Sequence, residues 1–142
     1  MSAGSGSSGR PGFPTLTPRL PVVAIDASLV SRDPEDVNAY VEDPLVYHGK
    51  LPARTVAELA AAIDAFPEQA AKITVPTLIM YGTADGLCPP AGSVMLDERI
   101  GASDKTLKAY EGLHHEILNE PEQDQVMDDL CAWLGARVAV AA

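Results

Sequence analysis

Val75-Pro-Thr-Leu-Ile-Met-Tyr-Gly-Thr-Ala-Asp85 is an apolar run that breaks at Gly82 and delivers a carboxylate. From Ile73 to Tyr81 nearly every residue is apolar, without the alternation of a half-exposed strand. This is how a strand covered on both faces of a parallel sheet reads. Pro76, which has no amide to donate to a ladder, is expected at the strand's start. Further on, Lys105 to Tyr110 alternates Leu107 and Ala109 with Thr106 and Lys108, a second strand, and Tyr110-Glu-Gly-Leu-His-His-Glu116 places imidazoles just past its end. Pro90 to Ile100 between them reads as a helix. Strand, helix, strand with short connections implies a right-handed crossover and parallel pairing, hence an α/β fold. Only these two strands are secure, so an incomplete sheet is expected.

Residues 1–19 are dominated by Gly, Ser and Pro. Such a stretch buries too little apolar area to offset chain ordering, and a disordered lead-in is expected. Pro21-Val-Val-Ala-Ile-Asp26 is a strand or a packed loop, which periodicity alone does not separate. Asp33 with Pro34 behind it caps a short helix whose Val37, Tyr40 and Val41 share a face before Pro44. Thr55 and Glu58 have capping-box spacing, and Val56, Leu59, Ala60 and Ile63 follow at helical intervals to an end near Phe66-Pro67. A last helix is expected from about Pro121, capped by Asn119 and Glu122, with Val126, Leu130, Trp133 and Leu134 on one face and Trp133 in the core.

The 142 residues suit one domain, and a globule of this size buries roughly two-thirds of its unfolded surface. Hydrophobic residues make up 46% and charged residues 21%, and no apolar run approaches the roughly twenty residues that span a bilayer. The formal charge of -10 rests on 20 acidic against 10 scattered basic residues, which argues against nucleic acid as a partner. Two cysteines, Cys88 and Cys131, form neither a disulfide framework nor a Cys-x-x-Cys pair, and a reducing cytoplasm is expected.

In open α/β sheets, functional side chains collect beyond the carboxyl ends of strands, where Asp85 and His115 both fall. A carboxylate bonded to one imidazole nitrogen fixes the tautomer and leaves the other nitrogen free to take a proton. The blander roles are a turn residue for Asp85, since Thr-Ala-Asp-Gly is good turn chemistry, and an exposed imidazole for His115. His114, His115 and Glu116 make a poor metal cluster, because adjacent residues of an extended segment point to opposite sides. Cys88 is expected to be a small buried hydrophobe, or else a thiol beside the site. His48 is expected on the surface or in packing.

The nucleophile that such a pair would serve is not written in these residues. In serine hydrolases with the order Ser, Asp, His, the serine stands on a turn written G-x-S-x-G. Ser7, Ser8, Ser28, Ser31, Ser93 and Ser103 all fail that pattern.

Taken together, Ser31-Arg-Asp-Pro-Glu35, Asp43-Pro-Leu-Val-Tyr-His-Gly49, Val75 to Asp85 followed by Pro89-Pro-Ala-Gly-Ser93, and Tyr110 to Glu116 with Asn119-Glu-Pro121 make the stretch Leu20 to Leu134 recognisable. It resembles the C-terminal part of the monoacylglycerol-lipase-like α/β-hydrolases, also labelled serine aminopeptidase S33 or lysophospholipase-like. The resemblance implies that Asp85 is the triad acid and that His115, rather than His114, is the base. It implies that residues 20–50 are the end of the cap and residues 51–142 the C-terminal part of the hydrolase core. It further implies hydrolysis of monoacylglycerol or related acyl esters through an acyl-serine, with no metal or cofactor, and raises membrane-surface docking through the cap. The nucleophile turn, the oxyanion loop and the first strands of such an enzyme would precede Leu20.

The leading expectation is therefore a truncated serine ester hydrolase that is inactive alone. The alternative is a non-enzymatic acidic interaction module, or a half-enzyme that pairs with a separate N-terminal half. Oligomeric state is open, as is whether the chain by itself is an enzyme. With two strands only, marginal stability is expected.

Overall fold

The computed structural model describes residues 17–138. Most of the lead-in expected over residues 1–19 thus lies outside the described residues, as does the Ala and Val rich end beyond Val138. In chain order the elements are β1 (Pro21–Val23), α1 (Pro34–Glu42), β2 (Leu51–Pro52), α2 (Ala53–Gln69), β3 (Thr77–Gly82), α3 (Ala91–Arg99), β4 (Lys105–Tyr110) and α4 (Gln123–Val138). Short 3-10 turns occupy Ala27–Leu29, Ala70–Lys72 and Ile117–Asn119.

β3 and β4 pair in parallel, in register from Thr77 opposite Lys105 to Gly82 opposite Tyr110. α3 makes the crossover. Because neighbouring residues point to opposite faces, each face has its own apolar cluster. Ile79 joins Ala70, Ile100 and Ala102, flanked by Ile73, Leu96 and Leu107. Met80 lies on the other side against Tyr110, Leu113 and Val126, with Ile117 beside them. The unbroken apolar run thus has a physical cause: both faces of β3 are in contact with side chains. β1 and β2 form a separate antiparallel ribbon, so the stretch over residues 21–26 that periodicity left open is in part a strand.

α1 starts as its sequence implies, with the Asp33 carboxylate accepting from the Glu35 amide and Pro34 in the first turn. The start of α2 differs. The helix begins at Ala53 with no side-chain cap, and Glu58 pairs with Arg54 instead of capping with Thr55. The ribbon sets this start, because Ala53 and Arg54 donate their amides to the carbonyls of Leu20 and Pro18. α2 also runs on through Pro67 to Gln69. Its expected core face is solvent-facing, with Leu59 56% and Ile63 61% exposed.

α4 docks on β4 by polar contacts at its far end. Trp133 is half-buried, not deep in the core; its Nε1 donates to Thr106 Oγ1 at 3.2 Å, and the Arg137 guanidinium stacks 3.5 Å from its ring centre. Arg137 also pairs with Asp104, Nε to Oδ2 at 2.9 Å. The expected caps of α4 are engaged elsewhere: the Asn119 amide donates to Glu116, and Glu122 pairs with Arg32.

Candidate active site

The two loops that leave the carboxyl ends of β3 and β4 are bonded to each other through the backbone. Thr83 donates its amide to the Tyr110 carbonyl at 2.9 Å, and Ala84 donates to Leu113 at 3.0 Å. The Gly112 amide returns a bond to Thr83 Oγ1 at 2.8 Å, and Gly112 itself has φ +75°, a conformation costly for other residues. Gly82 is required by close approach: a Cβ there would sit 2.1 Å from the Leu113 carbonyl oxygen and 2.4 Å from that of His114.

This framework brings Asp85 to His115. Asp85 Oδ2 lies 2.9 Å from His115 Nδ1, while Asp85 Oδ1 accepts the amides of Leu87 and Cys88, each at 2.8 Å. The turn role and the pairing role coincide, since the same carboxylate closes its own turn with one oxygen and holds the imidazole with the other. Its side chain is 8% exposed and that of His115 38%. Burial pushes the Asp85 carboxyl up, but the amides of Cys88 and Leu87 and the bond to His115 outweigh it and hold the carboxyl below its ordinary range. Asp85 is thus ionised at neutral pH. With Nδ1 bonded to the carboxylate, Nε2 is the nitrogen left for exchanging a proton with a third group.

Cys88 is exposed, which corrects the expectation of a small buried hydrophobe. The turn that Asp85 closes leaves the thiol beside the pair, and one ligand atom each of Asp85, Cys88 and His115 lies within 4.8 Å of the others. Burial and the neighbouring Asp85 charge raise the Cys88 thiol above its usual range. Within this cluster His115 Nδ1 is already bonded to Asp85. His114 and His48 stay apart from the pair. The His114 amide donates to Glu120, and His48 Nε2 lies 3.4 Å from the Asp43 carbonyl with its ring edge-on to Tyr40.

A carboxylate holding one imidazole nitrogen, on consecutive loops at one end of a parallel sheet, is the acid and base arrangement of serine hydrolases. The family model for serine aminopeptidase S33 matches residues 10–122. The chain belongs to this S33 family. Among its relatives, the monoacylglycerol lipase of Mycolicibacterium smegmatis is 48% identical over 119 residues, which are 84% of this chain and 42% of that protein. The monoglyceride lipase of Homo sapiens is 36% identical over 128 residues, 89% of this chain and again 42% of the relative. The crystal structure of the Paleococcus ferrophilus monoacylglycerol lipase superposes with a TM-score of 0.77 at 33% identity, covering 84% of this chain and 47% of that one. The S33 chain is therefore a monoacylglycerol-lipase-like α/β-hydrolase that spans less than half the length of the relatives it matches.

Proposed function

We propose that this chain carries the acid and base half of a serine ester hydrolase acting on monoacylglycerol or related acyl esters, with Asp85 as the triad acid and His115 as the base. The 2.9 Å bond from His115 Nδ1 to a carboxylate fixed by two backbone amides carries this reading. In the full reaction His115 Nε2 takes the proton of a serine hydroxyl supplied by polypeptide outside these 142 residues, and the serine oxygen attacks the ester carbonyl. The protonated imidazole then gives its proton to the departing glycerol oxygen. In the second half, Nε2 deprotonates the water that releases the fatty acid from the acyl-serine. Asp85 stays ionised throughout and steadies the imidazolium. In this reading residues 20–50 are the end of the cap and residues 51–142 the C-terminal part of the core, in a cytoplasmic protein whose two cysteines are free.

These 142 residues hold no G-x-S-x-G serine, so in this reading His115 alone has only water to activate. The 142-residue chain is expected neither to hydrolyse a short-chain aryl ester nor to be labelled by a fluorophosphonate. Turnover above buffer, or a serine adduct, would overturn its inactivity.

A second reading, a half-enzyme that docks a separate N-terminal half, is favoured by a groove of about 620 Å³ beside β3. Thr77, Leu78 and Met80 line it together with Leu130 and Trp133, and no β4 residue does. It lies between α4 and one face of β3, and among the described residues the edge of β3 away from β4 has no partner strand. Co-expression with an upstream fragment bearing G-x-S-x-G should restore hydrolysis. His115→Ala should then abolish it. Binding of the halves without hydrolysis would leave only the interaction-module reading.

A further inference from the structure

Glu120 has no exposed surface, and nothing in the proton transfer above uses it. A buried carboxylate is expensive unless its oxygens are filled, and here they are. Oε1 accepts the amides of His114 at 2.8 Å and of Arg32 at 3.2 Å, and Oε2 accepts Arg32 Nε at 2.8 Å. Ser31, 2% exposed, tightens the same junction by donating Oγ to the Asn119 carbonyl at 2.9 Å while accepting the Asp33 amide. The Glu116 amide donates to the Val30 carbonyl at 2.8 Å.

These bonds fix the backbone on both sides of the base. The amide before His115 belongs to Glu120 and the amide after it belongs to Val30, so the segment Val30–Asp33 and the segment His114–Glu120 form one clasp around the residue whose ring must meet Asp85. We infer that Glu120 is a positioning residue for His115, acting through the His114 amide and through Arg32, and that it ties the aim of the imidazole to the segment leading into α1. The inference deepens the reading of His115 as the triad base, but its direct measurement needs no nucleophile.

The ¹⁵N shifts of the His115 ring report its tautomer at a pH where the ring is neutral. In the wild-type chain the Asp85 bond holds the Nδ1–H form. Glu120→Gln replaces one filled carboxylate oxygen with an NH₂ facing Arg32 Nε. It should lower the ratio of the Nδ1–H to the Nε2–H form about tenfold, as expected for loss of about one hydrogen bond. Ile100→Ala, a core truncation on the opposite sheet face, serves as the control that lowers stability without touching the clasp, and should leave the ratio unchanged. Arg32→Lys should shift the ratio in the same direction by less, and it decides the matter by the same criterion if Glu120→Gln does not fold. A ratio that moves no further in the clasp variants than in Ile100→Ala overturns the inference. In the complemented enzyme Glu120→Gln should lower kcat with little change in KM. Complementation without turnover, alongside a shifted tautomer ratio, would reject the lipase reading and keep the positioning role.

Discussion

At the scale of single residues, the site is governed by what Asp85 does with its two oxygens. Because its folded pKa is depressed, the stability it contributes is present above the ordinary carboxylate value of about 3.9 and is lost as pH falls through the lower folded value. The difference in Tm between wild type and Asp85→Asn should therefore shrink from about pH 4 downward. In the complemented enzyme the same substitution should lower kcat by about 10⁴-fold, because an amide donates to Nδ1 and selects the wrong tautomer. Cys88 gives a separate test. Its raised thiol should alkylate with iodoacetamide more slowly at neutral pH than an unstructured cysteine peptide, despite its exposure, as peptide mass spectrometry would show. Asp85 and His115 were legible from their places after two strands. The exposure of Cys88 was not, because it depends on the turn that Asp85 closes, and the burial of Glu120 was not, because its partner Arg32 is 88 positions away.

At the scale of elements, local chemistry is legible where it is self-sufficient. The Asp33–Pro34 start of α1, the apolar run of β3 and the alternation of β4 carry their own signals, whereas the start of α2 is set by amides bonded to Leu20 and Pro18 across the ribbon. Thr55 and Glu58 have the right spacing for a cap but sit inside the helix. The strand ends show the same dependence on distant chain. Gly82→Ala would drive a Cβ into two carbonyl oxygens of the base loop, and is expected to cost about 3 kcal/mol or more in a denaturant titration while displacing His115. Arg137→Ala removes the stack on Trp133 and a partly exposed pair with Asp104. A loss of about 1 kcal/mol is expected, reduced in high salt by the share that the ion pair contributes.

At the scale of the whole molecule, two small clusters hold a two-stranded sheet while Leu45, Ile63, Val75 and Val138 remain more than half exposed. Among the described residues, no helix is long and apolar enough to cross a membrane. A sheet of two strands with open apolar surface should melt broadly and at low temperature in calorimetry, and should self-associate on gel filtration. A docked N-terminal half should raise and sharpen the transition by mass action. The cross-strapped loops after β3 and β4 give that association a particular character. Asp85 and His115 travel as a prefabricated pair, so on the proposed reading an incoming half would have to bring a serine and its oxyanion donors into range of a finished relay. Catalysis in such an assembly would then hinge on how closely docking aligns the two halves.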